Sequence, residues 1–398
     1  MYNADNEKLI SWTKKILICT GLWNLPITNN HVYQKIFYIY SMFMRLGCFM
    51  FWLLLFCELI RLIIYKYDTE LIITSLGVVV NDSKILFKVI IYLKHNILGL
   101  FKDVIEKEAD IWSSNNEEII TLYKRNIRTC KLYVIVLGFI TLVAVSLLQI
   151  PGAINFIAIV QYNIEHNATV EPHVMYQIFL PFNKVNHMTW LFTIEAFLAW
   201  VGATYNTATH LIFLTLLVYA ASQLQVLQIK LKNYDGLDFS SEASQEEIDE
   251  RIVVLKGLIR DHQQMIGFVI HSNKCTRYVI MMEFILSSLD LASVSANLIK
   301  MDSGKGWLLV FFVLLFVQIM LIGWTSNEIK IQSEAIADAV YESKWYLLNK
   351  EAKQLTQIMI ARAQTPLLMT IGPFGPMTTN SVLMVLKAAY SYVSIMRE

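Results

Sequence analysis

SEAIADAVYESKWYLL (residues 333–348), GPFGP (372–376) and TTNSVLMVLKAAYSYVSIMRE (378–398) decide how this chain reads. A charged amphipathic stretch ends at AQTP (363–366), a Pro/Gly break follows, and a short apolar segment closes the sequence. That segment carries Asn380, Lys387, Ser391 and Ser394 among apolar residues. Polar and ionisable groups within a membrane span face protein or a water-filled path rather than lipid. The segment therefore reads as a membrane helix with one wet face, the pattern of a pore.

Composition points the same way. The 398 residues are 56% hydrophobic and 16% charged, with a mean hydropathy of +0.48, whereas soluble domains carry about 25% charged residues. The expected class is an all-α integral membrane protein. A net charge of +1 and the lack of a basic block with interleaved aromatics argue against nucleic-acid partners. Cys19, Cys48, Cys57, Cys130 and Cys275 show no C-x-x-C spacing, so zinc and redox chemistry are not expected. Residues 1–35 lack a continuous apolar core beside a small-residue cleavage site, and a cleaved signal peptide is not expected. No H-E-x-x-H, P-loop or G-x-S-x-G motif appears. The chain reads as neither an enzyme nor a cofactor or metal binder.

A span needs roughly 20 mostly apolar residues, and seven stretches qualify: about 36–65, 71–92, 132–160, 188–220, 265–299, 306–326 and 378–396. The second is interrupted by Asn81, Asp82, Ser83 and Lys84. Cationic residues crowd one set of connecting segments, with Lys94, Lys102, Lys107, Lys124, Arg125, Arg128 and Lys131 in one and Lys230, Lys232, Arg251, Lys256 and Arg260 in the next. The opposite set holds Lys66, Lys184, Lys300, Lys305 and Arg397. The positive-inside rule then places the N-terminus in the cytoplasm and the C-terminus outside. The sequon Asn167-Ala168-Thr169 falls between spans three and four, on the outer side. The triplet Asn81-Asp82-Ser83 lies inside a span and reads as a chance match. This orientation is inverted relative to G-protein-coupled receptors, and neither D-R-Y nor N-P-x-x-Y stands at the expected places.

Three inner segments are helical in pattern. Ser244-Gln245-Glu246-Glu247 reads as a capping box, and Ile248, Ile252, Leu255, Ile259 and Ile266 continue as an apolar stripe into span five. Residues 92–131 and 335–364 carry similar stripes. Regions 221–262 and 327–365 are expected to form cytoplasmic anchor helices, and Asn233-Tyr234-Asp235-Gly236 reads as a linker. Of the charges within spans, Glu58 and Arg61 read as a local pair, while Arg45, Asp82, Lys84, Glu195, Lys274, Arg277, Glu283 and Asp290 receive no role.

These residues resemble the insect odorant receptors, and within them a tuning subunit. The resemblance is carried by Ser333, Ala337, Ala339, Tyr341, Ser343, Trp345 and Tyr346, by Gln364 and Pro366, by Gly372, Phe374 and Pro376, and by Lys387, Tyr390 and Ser391. His262-Gln263 and Gly21-Leu22-Trp23 with Pro26 agree. The resemblance implies a ligand-gated cation channel of four subunits in the plasma membrane of sensory dendrites, with the last helix of each subunit at a central pore. It also implies a heterotetramer with a co-receptor, which is longer and carries an extra inner insertion before span five that this chain lacks. A gustatory receptor-type subunit is the nearest alternative. A secondary transporter would show internal repeats, and none is visible.

For sites, the resemblance places the pore at Lys387, Ser391, Ser394 and Ile395, with Ile395 as an apolar constriction. Lys387 sits either in the wider inner part or against an acid. A pocket for a small volatile ligand is expected in the outer half, at Thr74 and Val78; Ser146, Gln149, Ile150 and Ala153; Phe197, Trp200 and Val201; Phe312 and Leu315. Such pockets are apolar with a few orienting polar groups. Gln149 before Pro151 stands out, since Pro frees a backbone carbonyl near an amide.

Orientation makes the first testable prediction. Endoglycosidase treatment should shift the mobility of the wild-type protein and leave Asn167→Gln unmoved; a wild-type protein that does not shift removes that support for an inward N-terminus.

Overall fold

The computed structural model describes residues 8–27, 30–168, 170, 178–179, 188–234, 245–300 and 305–397. Ser244 of the capping box, Thr169 of the sequon, Lys184, and Asp235 and Gly236 of the linker lie outside this set, as do the side chains of Thr74 and Ile395.

Ten α-helices make up the described residues: α1 (Ser11–Cys19), α2 (His31–Ile64), α3 (Thr69–Lys94), α4 (Leu100–Ser113), α5 (Glu117–His166), α6 (Met188–Lys232), α7 (Gln245–Lys300), α8 (Lys305–Glu342), α9 (Lys350–Ala363) and α10 (Thr379–Arg397). Asparagines start several of them by satisfying orphan amides of the first turn. Asn116 Oδ1 accepts from the Glu118 and Ile119 amides at the head of α5, and Asn349 Oδ1 from the Ala352 amide at 2.8 Å at the head of α9. Asn167, exposed and left-handed at φ +48°, ends α5.

α2, α5, α6, α7 and α8 are each long and apolar enough to cross a membrane. α3 and α10, which hold the expected spans 71–92 and 378–396, are long enough at 26 and 19 residues. Neither combines apolarity with few charges as the other five do. In α3 the cause is visible: Lys84 and Lys88 are only 2% and 3% exposed, so its charges face protein. α5 and α7, at 50 and 56 residues, run to roughly 75 and 85 Å at 1.5 Å per residue. Both exceed the ~30 Å hydrocarbon layer and must project beyond it.

α6 is the central helix. Residues 205–222 are buried without interruption, as a helix apolar on every side must be. One core cluster packs α6 against α7, α8, α9 and α10, and a second packs α6 against α1, α3, α4 and α5. Segment 92–131 is divided: Asn96 takes a left-handed φ of +47°, a 3-10 turn spans Ile97–Gly99, and α4 and α5 follow separately. Segment 335–364 is likewise divided, since α8 carries through to Glu342 and a turn at Trp345–Leu347 precedes α9. Ser343 Oγ donates back to the Val340 carbonyl at that break.

The N-terminal motif folds under α4. Gly21 has φ +68°, and a Cβ there would meet the Ser41 backbone at 2.9 Å. Ser41 Oγ donates to the Gly21 carbonyl, Trp23 packs against Phe101, and the Leu9 amide donates to Glu108 at 2.8 Å. In α7, His262 is 4% exposed, and burial with nearby Arg362 pushes its pKa down to about 4.

GPFGP forms a tight hairpin ahead of α10. The Ile371 amide donates to the Gly375 carbonyl and the Met377 amide to the Met369 carbonyl at 2.7 Å, with Gly372 and Gly375 at positive φ. Asn273 Oδ1 on α7 accepts from the Thr370 amide, and Ser333 Oγ on α8 from the Leu367 amide, both at 2.9 Å. Ser326 Oγ donates to the Met377 carbonyl. Beyond the hairpin, α10 lies so close to α8 that a Cβ on Gly323 would stand 2.3 Å from Val382 Cγ2. Because Val382 is short, stiff and fully buried, Gly323→Ala should cost about 1–3 kcal/mol by overpacking. Gly257→Ala, in open space on α7, should stabilise by about 0.5–1 kcal/mol. Thermal melts of the detergent-solubilised protein measure both, and equal Tm values for the two variants would refute the close approach.

Candidate functional site

Three of the charges without an assigned role, Lys84, Glu283 and Asp290, meet Lys88 between α3 and α7. One helical turn apart on α3, Lys84 and Lys88 face Glu283 and Asp290, two turns apart on α7. Lys84 Nζ lies 2.8 Å from Asp290 Oδ2 and 3.8 Å from Glu283 Oε1, and Lys88 Nζ lies 2.5 Å from Glu283 Oε2. Ser287 Oγ donates to Glu283 at 3.1 Å, and His210 of α6 places Nε2 2.9 Å from Lys88 Nζ. All five titratable side chains are buried. The two cations and two anions balance, as burial in a low-dielectric bundle requires.

Directly beside this cluster lies a cavity of about 240 Å³ among α3, α5, α6, α7 and α8. Asp290 belongs to both. α3 contributes Val78, Asn81 and Asp82; α5 contributes Thr141, Ala144, Val145 and Leu148; α6 contributes Ala199, Gly202, Ala203 and Asn206. Ser293, Val294 and Asn297 on α7 and Trp307, Leu308, Phe311 and Leu314 on α8 close it. Small residues on α6 open the space, while a hydrogen bond of 2.8 Å between the Thr141 and Thr207 hydroxyls holds α5 to α6 at its edge. The result is an apolar, aromatic-walled space with a few polar groups, the general form of a small-molecule site.

Of the expected pocket residues, Val78 lines this cavity. On α5 the lining falls at 145 and 148 rather than 146 and 149, on α6 at 199 and 202 rather than 200 and 201, and on α8 at 311 and 314 rather than 312 and 315. Ile150 and Phe197 are 58% and 53% exposed and face away from the bundle. Val201 and Leu315 are buried in core clusters, and Phe312 packs against one of them. Ser146, Ala153 and Trp200 are half-buried outside the lining. Gln149 serves as a brace, its Nε2 donating to the Ala196 carbonyl of α6 at 2.9 Å. Glu58 and Arg61 form a two-pronged pair at 2.6 and 2.9 Å. Ser83, within the half-buried triplet, accepts from Trp52 Nε1 and donates to the Val79 carbonyl, each at 2.7 Å.

The last helix shows two faces. Val382, Val385 and Ala389 are buried against the bundle. Asn380, Lys387, Ser391 and Ser394 are exposed, and Ser391 Oγ donates to the Lys387 carbonyl. A larger, more polar cleft of about 630 Å³ lies among α4, α5, α6 and α7, with Asp103, Glu106 and Asp110 on its wall and Asp261 between Lys107 and Lys230.

A family model described as "7tm Odorant receptor" matches residues 68–390. Odorant receptor 10 of Aedes albopictus is 27% identical over 210 residues, 52% of this chain and 54% of the relative. Odorant receptor 30a of Drosophila melanogaster is 26% identical over 256 residues, 62% and 64%. The chain thus matches between about half and two thirds of the length of these relatives. The insect olfactory receptor OR5 from Machilis hrabei superposes over 97% of both chains with a TM-score of 0.78 at 14% identity. The same receptor in complex with eugenol gives 0.74 at 15%. At such identities the likeness is one of fold.

The ion cluster makes a prediction about assembly of the bundle. Asp290→Ala leaves Lys84 without its closest partner and should destabilise by roughly 3–5 kcal/mol, whereas the paired replacement Lys84→Met with Asp290→Leu should recover most of the loss. Thermal melts in detergent test this; a double variant as damaged as the single one would contradict the pairing.

Proposed function

The chain belongs to the 7tm odorant receptor family, and from that membership we propose that it is the odorant-binding, tuning subunit of a ligand-gated cation channel in the plasma membrane. In this reading a small volatile enters the cavity among α3, α5, α6, α7 and α8, and the four-subunit channel forms with the family's co-receptor. The cavity is the observation that carries the proposal, because it lies among helices, is walled by Trp307 and Phe311, and is furnished with few polar groups. That the short inner segment lacks the insertion of the co-receptor supports the tuning role. Seven spans then follow if α3 crosses with its charges matched by α7 and α10 crosses with its polar face toward a pore.

We assign Lys387, Ser391, Ser394 and Ile395 to the conduction path of the assembled channel. The exposure of the first three on a helix whose opposite face is packed supports this. α7 and α8 give a route for coupling: both line the cavity and both pack against α10. A ligand acts only through preferring one arrangement of these helices over another. Regions 221–262 and 327–365 then serve as the inner anchor, through α9 and the projecting ends of α6, α7 and α8.

Co-expression with the co-receptor should give odorant-evoked cation current, and neither chain's ligand selectivity should survive without this one. Ala203→Phe, which fills the cavity, should raise the half-maximal concentration of any agonist by at least tenfold, about 1.4 kcal/mol. Ile150→Phe, on the exposed face, should leave it unchanged, and substitutions at Ser391 or Ile395 should alter ion permeation. Current insensitive to Ala203→Phe but lost in Ile150→Phe would move the pocket to the outer face.

A further inference from the structure

The cavity wall carries more hydrogen-bond acceptors than the protein satisfies. Asn81 Oδ1, Asp82 Oδ2 and Asn206 Oδ1 are buried with no hydrogen-bonding partner among the described residues. All three residues line the one cavity. A buried polar atom without a partner costs about 1–3 kcal/mol, and more when it is charged, so three together on one wall call for an occupant.

Asp82 differs from the other carboxylate on the wall. Asp290 is matched by Lys84 at 2.8 Å. No Lys, Arg or His stands among the residues lining the cavity, and both cations of the neighbouring cluster are engaged by Glu283 and Asp290. Opposite Asp82, Gly202 presents no side chain: an added Cβ would stand 3.6 Å from Asp82 Oδ1 and 3.6 Å from the Phe51 ring. A Cβ there would already be in van der Waals contact with the carboxylate, which lines the cavity. Trp307 and Phe311, with ring centroids 5.6 Å apart, supply aromatic surface to the same space, and aromatic faces attract cations within about 6 Å. Each of the three buried atoms is an acceptor, so a ligand that donates complements them. An ammonium group carries three N–H donors and no acceptor.

We propose that the ligand class of this cavity is small amines, bound as the ammonium with Asp82 as counter-ion and Asn81 and Asn206 as further acceptors. The apolar body of the ligand lies against Val145, Leu148 and Phe311. The proposal rests on the reading of this cavity as the ligand site.

The test compares 2-phenylethylamine, 2-phenylethanol and phenylacetaldehyde, which share a skeleton and differ in the head group, on cells expressing this chain with the co-receptor. The amine is expected to activate at concentrations at least about tenfold lower than the other two. Asp82→Asn should remove that advantage while responses to the alcohol persist. The order among the three compounds on the wild-type protein needs no variant, so it stands even if Asp82→Asn fails to reach the surface. An alcohol or aldehyde more potent than the amine, an amine that is silent, or an amine response unchanged in Asp82→Asn overturns the assignment. Gly202→Val, which fills the space beside Asp82, separates the two levels. If the active compounds lack an amine yet lose potency in Gly202→Val, the ligand class falls and the cavity stands. If Gly202→Val changes no response, both fall.

Discussion

Two lysines cannot be placed inside a membrane bundle unless two acids meet them there. A charged residue at mid-membrane costs about 2.5–3.5 kcal/mol on insertion scales, and α3 brings Lys84 and Lys88 together. α7 supplies Glu283 and Asp290 at matching heights, and the four charges neutralise one another at 2.5 to 3.8 Å. This pairing sets which face of α3 turns inward. With that face fixed, Val78, Asn81 and Asp82 are turned toward α5 and α6, and the space they border becomes the cavity. Asp290 stands at the junction, holding Lys84 on one side and lining the cavity on the other.

The cavity exists because α6 carries small residues where four other helices converge. Ala199, Gly202 and Ala203 leave room that larger residues would fill, while below them α6 is buried on all sides. An empty space of this kind forfeits dispersion contacts along its whole lining, so its retention in an otherwise packed bundle fits a site with an occupant. The chain belongs to the 7tm odorant receptor family, and its helical fold matches that of a solved insect olfactory receptor over nearly the whole chain.

Much of this is legible in the sequence. Apolar composition gives the membrane class, and long apolar runs give the helices. The residues after Ser333 carry the family because they do structural work: Ser333 holds the Leu367 amide, and Gly372 takes a backbone conformation other residues rarely adopt. The expected pocket and this cavity share α3, α5, α6 and α8, and the cavity adds α7 and Phe51 of α2. The residues lining the cavity are not legible. They stand one residue away from the expected ones on α5, α6 and α8, a rotation of about 100° per residue on an α-helix, and near-continuous apolar runs hold no periodicity to fix that rotation. The pairing of α3 with α7 is also hidden, since Lys84 and Asp290 lie 206 residues apart. Its trace is two cations four residues apart on one helix face and two anions seven residues apart on another.

α7 ties these parts together. From its projecting end it passes the hairpin, where Asn273 and the Arg277 carbonyl hold Thr370 and Gly372, then the ion cluster, then the cavity wall. The helix that lines the cavity thus also braces the base of α10. The most direct measurement of this account is an electron cryo-microscopy map of the chain in the proposed assembly with the family's co-receptor and an activating ligand. The account requires ligand density enclosed by Asp82, Leu148, Gly202 and Phe311. Density on the outer face at Ile150 and Phe197, with the cavity among the helices empty, would contradict it.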